Sequence, residues 1–284
     1  MTLISRALKA LRDRRRRKTL YSAACYWDSK ARQGGAGSPA SMWPNPAFNT
    51  LCEEEQREAV DALGLSLQGA MVLDLGCGSG RFSRYFAAKG AQVTGIDFSA
   101  VALETARSLS DGPNPAYVNL SLFELDDSGL YDLVFAAAAL SVACRTRREL
   151  ADALVRAGRA LKQGGALFLI EPVHRGFLSR TLDMGLGEFL QTLEECGLQA
   201  KSVRPLVFWP ARLALAYLPS PSVLTAPVYR LGRLLMKAPG LCRLGDYWAI
   251  KAALKPSGPR SLPAPAPPVM RHSRSADSPG QEGP

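Results

Sequence analysis

Histidine is nearly absent from this chain: 284 residues contain only His174 and His272. The cysteines Cys25, Cys52, Cys77, Cys144, Cys196 and Cys242 are scattered, with no C-x-x-C pair among them. Neither a zinc site nor a disulfide framework is therefore indicated, no metal is expected, and a reduced cytoplasmic setting is the expected one. Long apolar runs are missing as well, since none approaches the ~18 residues that suggest a membrane span. Acid is scarce at the amino terminus, where Asp13 stands alone against Arg6, Lys9, Arg12, Arg14, Arg15, Arg16, Arg17 and Lys18; that arm holds +7 of the net +10. On a helical wheel Leu3, Ile4, Ala7, Leu8, Ala10 and Leu11 oppose Arg6, Lys9 and Arg12, which describes a basic amphipathic helix. Such an arm can lie on an anionic membrane surface, contact nucleic acid, act as a targeting segment or stay solvated. The membrane surface is the favoured partner among these, giving peripheral attachment, and nucleic acid ranks below it.

What is present is an apolar content of 47%, enough for a substantial core, and one informative stretch. Residues 72–97 read VLDLGCGSGRFSRYFAAKGAQVTGID. An apolar run leads to Gly76, Gly78 and Gly80, an amphipathic segment follows over residues 81–89, and a second apolar run closes on Asp97. Strand, glycine turn, helix, strand and acid form a βαβ nucleotide cradle, in which an acid about 20 residues on can bind ribose hydroxyls. The dinucleotide pattern G-x-G-x-x-G fails, because the third glycine comes one residue early and Arg81 holds its place. Cys77 inside the turn is expected to be a small filler rather than a nucleophile, since no histidine lies near it to activate it.

Alternation continues down the chain. Helices are expected over residues 52–63, 81–89, 100–109 with Ser99 as N-cap, and 147–161 ending at the glycine turn 162–165. Strands are expected over 70–73, 93–96, 116–122, 131–137 and 166–170, the last running into Glu171. Strands alternating with helices imply a parallel sheet covered on both faces.

Asp74 two residues before the first glycine, then G-x-G-x-G, resembles motif I of the class I S-adenosylmethionine-dependent methyltransferases. The later segments YDLVFAAAAL, LKQGGALFLIEP and EFLQTLEECGLQAKSV are similar to the element order of their small-molecule branch, the type 11/12/25-like members. The resemblance implies an α/β fold: a Rossmann-like seven-stranded, mostly parallel sheet with helices on both faces and an antiparallel last strand. It implies S-adenosyl-L-methionine as cofactor, with Asp74 opposing the methionine ammonium, Gly76, Gly78 and Gly80 against the methionine and ribose, Asp97 on the ribose hydroxyls and Phe98 beside adenine. Family members often carry an acid after the third strand for the adenine amino group; here Asn119, Leu120 and Ser121 stand there, so Ser121 or Glu124 would take that role.

The expected organisation is a basic arm (1–20), an N-terminal helical cap (21–70), a methyltransferase core (71–208), an apolar insertion (209–246), a last strand (247–254) and a disordered tail rich in Pro, Ser, Gly and Arg (255–284). The aromatics Tyr21, Tyr26, Trp27 and Trp43 either fold over the ligands or fix the helices to the core. The insertion either covers the core or acceptor pocket, the first choice, or touches a membrane. His174, the only histidine in the folded region, is the candidate base or orienter, with Glu171 competing for the task. The leading function is methyl transfer to a small hydrophobic acceptor such as a quinone, lipid or phenol. An RNA or protein methyltransferase gripping its substrate by the arm is the alternative, weakened by the lack of an Asn-Pro-Pro-Tyr-type motif. A catalytically silent binding module is the third reading.

Overall fold

A computed structural model describes residues 24–34, 43–217 and 220–256. The basic arm, Tyr21 and most of the tail lie outside the described residues. Among the described residues, two helices, α1 (Ala24–Gly34) and α2 (Pro46–Asp61), precede the sheet. β1 (Met71–Leu75), α3 (Arg81–Ala88), β2 (Gln92–Asp97), α4 (Ala100–Ser108), β3 (Ala116–Asn119) and β4 (Tyr131–Ala137) follow. The short α5 (Leu140–Ala143), α6 (Arg147–Ala160), β5 (Leu161–Glu171), α7 (Leu186–Glu195) and β6 (Leu198–Phe208) lead to α8 (Trp209–Leu215), α9 (Ser222–Leu235) and β7 (Gly245–Leu254).

The sheet has seven strands in the order β3-β2-β1-β4-β5-β7-β6, and only β7 runs against its neighbours. The sequence expectation for the fold is thus met. Strand order reverses between β1 and β4, which places a ligand crevice outside their carboxyl ends. Period-two alternation divides the central strands between two apolar layers. Val134, Ala136, Leu167 and Leu169 face Leu150, Leu154, Phe189 and Leu193 on α6 and α7. Leu133, Phe135, Phe168 and Ile170 face α2 and α3, where the rings of Phe82 and Phe86 approach Phe135 at 4.7 and 5.1 Å. Each such fully buried ring contributes about 1.5–3 kcal/mol by leaving water.

Several boundaries depart from expectation: α2 starts at Pro46, six residues before the expected helix, because Asn45 caps it and accepts the Phe48 N–H at 3.2 Å. β3 stops at Asn119 rather than residue 122 because the chain turns at once: Asn119 Nδ2 and the Leu120 N–H both donate to the Asp97 carbonyl, at 2.9 and 3.1 Å. α6 ends at Ala160, and the 162–165 segment expected as a glycine turn is absorbed into a long β5, with Gly164 at φ +82° and an irregular pairing with β4. The insertion ends two residues early, since β7 already pairs Gly245 with Phe208.

Candidate active site

The glycine loop joins β1 to α3, and each glycine is required for a different reason. All three have positive φ, +67° at Gly76, +55° at Gly78 and +73° at Gly80, the region that L side chains avoid. A Cβ on Gly76 would sit 2.8 Å from Ala139 Cβ, and one on Gly80 would sit 2.2 Å from the Tyr117 hydroxyl. A Cβ on Gly78 would meet nothing within 4 Å. Gly76 and Gly80 therefore let the loop settle on the turn after β4 and on β3, while the missing side chain of Gly78 leaves open space above the loop.

Asp97, at the end of β2, reaches across to this opening. Its Oδ2 accepts the Gly78 N–H at 2.9 Å, its Oδ1 accepts the Ser99 N–H at 2.8 Å, and the residue is 8% exposed. A carboxylate has about four acceptor sites, so two oxygens engaged once each keep capacity for two further donors at the rim. Burial pushes its carboxyl upward, and the N–H groups of Ser99 and Gly78 oppose the shift. Phe98 beside it is 38% exposed and free to lie against a flat ring. Ser99 caps α4, as expected, by accepting the Ala102 N–H at 3.1 Å, and donates its hydroxyl to Asp28 Oδ1 on α1 at 2.5 Å. The cap helix is thereby tied to the rim of the site, a link sequence reasoning missed.

Asp74 is placed otherwise than a surface counter-charge would be. It is 3% exposed and accepts the buried Ser83 hydroxyl at 2.6 Å. Burial lifts its carboxyl to about 6, with the Ser83 hydrogen bond pulling the other way. Asp28, Asp74 and Asp97 together surround the loop with carboxylates. Of the nearby cations, Arg84 binds the Ser79 carbonyl of the loop at 2.6 Å and Arg81 binds Gln56 at 3.1 Å. A pyrophosphate would be repelled here; a nucleoside carrying positive charge fits. Cys77 is buried, and burial first, then Asp74 and Asp97, hold its thiol in the neutral form, consistent with a filler.

Ser121 lies in the turn that follows β3. Its Oγ accepts the Phe123 N–H at 3.3 Å, and its N–H donates to Glu124 Oε2 at 3.3 Å, so both adenine candidates serve the turn after β3.

On the other side of the reversal point, Glu171 and His174 part company. Glu171 is 0% exposed and accepts four donors: the N–H groups of Ala139, Leu140 and Ser141 at 2.9–3.0 Å and the Ser141 hydroxyl at 2.6 Å. Its lone pairs are committed to the turn after β4, where Ala138 has φ +54°. This corrects the reading of Glu171 as a base. It holds a strained turn whose next residue, Ala139, is the surface on which Gly76 rests.

His174 lies past β5, with Nε2 2.8 Å from the Asp246 carbonyl and 3.2 Å from Asp246 Oδ1. Asp246 also meets Arg180 at 3.3 Å and Arg212 at 2.8 Å, both through Oδ2. Burial alone would raise the Asp246 carboxyl, but Arg180, His174 and Arg212 outweigh it and hold it below the usual range. Two guanidiniums share one carboxylate, and all three groups are at most 8% exposed. The sequence signal for this cluster was faint: Asp246 is the first acid after a stretch, residues 209–245, that has none.

Comparison with known proteins gives a consistent result. A family profile described as a methyltransferase domain matches residues 72–165. The chain is 31% identical over 176 residues to a ubiquinone biosynthesis O-methyltransferase of Xanthomonas euvesicatoria pv. vesicatoria, covering 52% of this chain and 70% of that one. It is 32% identical over 115 residues to a malonyl-[acyl-carrier protein] O-methyltransferase of Salmonella typhimurium, covering 39% and 44%. The chain spans under half the length of the curated relatives matched with the strongest scores. Among solved structures, the [4+2]-cyclase SpnF superposes with TM-score 0.59 at 21% identity over 84% of this chain and 97% of that one, a likeness of fold. The loop geometry, the reversal point and the Xanthomonas relative agree, and the chain belongs to the class I S-adenosylmethionine-dependent methyltransferases.

Proposed function

We propose that this protein transfers a methyl group from S-adenosyl-L-methionine to an oxygen of a small hydrophobic acceptor, of the quinol, phenol or lipid class. The observation that carries the reading is the open space above Gly78 bracketed by Asp97 and lined with carboxylates. The cofactor supplies a methyl group already activated on a sulfonium, so the chain's task is alignment and exclusion of water.

The Asp97 rim would hold the ribose, and the buried negative charge of Asp74 would favour the ammonium end from beneath the loop. On the acceptor side, an Nε2–H donated to Asp246 leaves Nδ1 of His174 as the basic nitrogen. His174 is thus the proposed base, oriented by Asp246. The guanidiniums of Arg180 and Arg212 beside Asp246 would favour an acceptor oxygen as its proton leaves. Relatives named as a ubiquinone biosynthesis O-methyltransferase and a malonyl-[acyl-carrier protein] O-methyltransferase support an oxygen acceptor.

The test is incubation with methyl-labelled donor and a cell extract split into organic-soluble, aqueous, protein and RNA fractions. Label in an organic-soluble product, released as a one-carbon fragment on ether or ester cleavage, is the expected result. Label confined to RNA or protein overturns the acceptor class, and absence of donor binding by calorimetry overturns the whole reading.

A further inference from the structure

Methyl transfer does not account for the outer face of α9. The inner face of that helix is fixed: Thr225, Tyr229 and Gly232 are buried, and the Tyr229 hydroxyl donates to Glu55 Oε2 at 2.5 Å. Arg233 meets Glu55 at 3.3 Å and Glu58 at 2.5 Å on α2, and a Cβ on Gly232 would lie 2.8 Å from Phe208 Cβ. The helix cannot roll to hide its other side. That side shows Val223, Leu224, Val228, Leu231, Leu234 and Leu235 at 73, 62, 43, 54, 62 and 37% exposure. At 3.6 residues per turn these six fall within an arc of about 140°, a continuous stripe rather than the scattered apolar residues normal on a surface.

Charge decides what covers the stripe. From Trp209 to Leu244 the chain carries Arg212, Arg230, Arg233, Lys237 and Arg243 and no acid. Arg230, Lys237 and Arg243 are exposed, and Arg230 borders the apolar arc. A second copy meeting this face about a two-fold axis would set like charges together. An anionic bilayer surface satisfies both features, taking the apolar stripe into its acyl boundary and the cations among its headgroups. No described helix is long and apolar enough to cross a membrane, and α9, at 14 residues, spans about 21 Å, short of the ~30 Å hydrocarbon core. It can lie in the interface and cannot traverse it. The segment also leaves the sheet at the carboxyl end of β6, the same end as the ligand crevice.

We infer that α9 is a membrane-docking helix that seats the protein on anionic phospholipid. The inference concerns this surface alone and stands apart from the identity of the acceptor.

The test compares the full chain with a Leu224→Glu, Leu231→Glu, Leu234→Glu variant in co-sedimentation with vesicles of phosphatidylcholine alone and of phosphatidylcholine with phosphatidylglycerol. The parent should bind the mixed vesicles more tightly, and the variant should lose at least about tenfold in partitioning at unchanged melting temperature. A single Leu231→Trp variant gives an independent readout, since brominated lipid should quench its fluorescence beyond that of the parent. Equal partitioning of parent and triple variant, no excess quenching at position 231, or a parent dimer that the triple variant dissociates without any vesicle binding would each overturn the inference.

Discussion

Replacing Asp97 by alanine tests the donor site most directly, because the structure separates its two tasks. The carboxylate accepts the Gly78 and Ser99 N–H groups at 2.9 and 2.8 Å and has room for two hydroxyls. Losing the first pair strips acceptors from two backbone donors at a rim that water can reach, a cost of about 1–2 kcal/mol of stability. Losing the second removes charge-assisted hydrogen bonds to the ribose, about 2–3 kcal/mol, or roughly 30- to 160-fold in donor Kd. Calorimetric titration of the donor and of its demethylated product reads the second loss, and the unliganded melting temperature reads the first. An analogue without the 2′- and 3′-hydroxyls completes a double-mutant cycle: it should bind the parent poorly and the Asp97→Ala variant no worse than the intact donor does. If removing the hydroxyls costs the same in both proteins, Asp97 does not touch the ribose and the placement of the sugar is wrong.

Gly78→Ala should preserve the fold, at about 1–2 kcal/mol for a left-handed alanine, and weaken donor binding at least about tenfold by filling the open space; undiminished affinity would show that nothing lies over Gly78. Asp74 gives a pH dependence. Its folded value of about 6 lies above the ordinary 3.8, so its contribution to stability is fully present below about 3.8 and lost as pH rises through about 6; donor affinity should rise over the same window, and Asp74→Asn should raise the unliganded melting temperature at pH 7.5 and flatten that rise. Glu171→Gln turns an NH2 toward backbone donors and should cost about 3 kcal/mol, read as a lower melting temperature with an unaltered pH–rate profile; a stable variant with a shifted profile would restore Glu171 as a base. His174→Gln should lower turnover about 10²-fold or more at constant donor affinity, and full activity would remove the imidazole from the mechanism.

The donor half of the molecule was legible in the sequence because its requirements are local. Glycines at a strand-to-helix turn and an acid at the next strand's end are covalently near one another, so spacing alone reports their geometry. The β4 strand, an apolar run bounded by turns, was read to the residue, 131–137, for a similar reason. Glu171 shows where such reading ends. Its position after β5 is visible in sequence, but its partners are the backbone N–H groups of residues 139–141, and a backbone donor has no sequence signature. The Asp246 cluster was hidden because it joins residues 174, 180, 212 and 246, brought together only when β7 returns beside β5. Ser83 offered a signal that passed unused, a serine between Phe82 and Phe86 on the buried side of α3. Of the insertion, Ala211, Ala216 and Tyr229 are buried against the core, while the outer residues of α9 face solvent.

In the proposed arrangement the two sides of the crevice differ in charge, and that asymmetry follows from the reversal of strand order. Elements preceding it deliver Asp28, Asp74 and Asp97 to one side; elements following it deliver His174, Arg180 and Arg212 around Asp246. In a site shielded from water such fixed groups act strongly and need no reorganisation during reaction. A donor that begins positive and ends neutral at sulfur is held best before transfer by the acidic side, which favours departure of the demethylated product. An acceptor oxygen becomes more negative as it attacks, where the basic side gains most. Removing the charge on either side, by Asp74→Asn or Arg212→Gln, should therefore slow transfer through different steps: the first through donor affinity, the second through turnover at saturating donor. A loss of donor affinity in Arg212→Gln with unchanged turnover would reverse this assignment of the two sides.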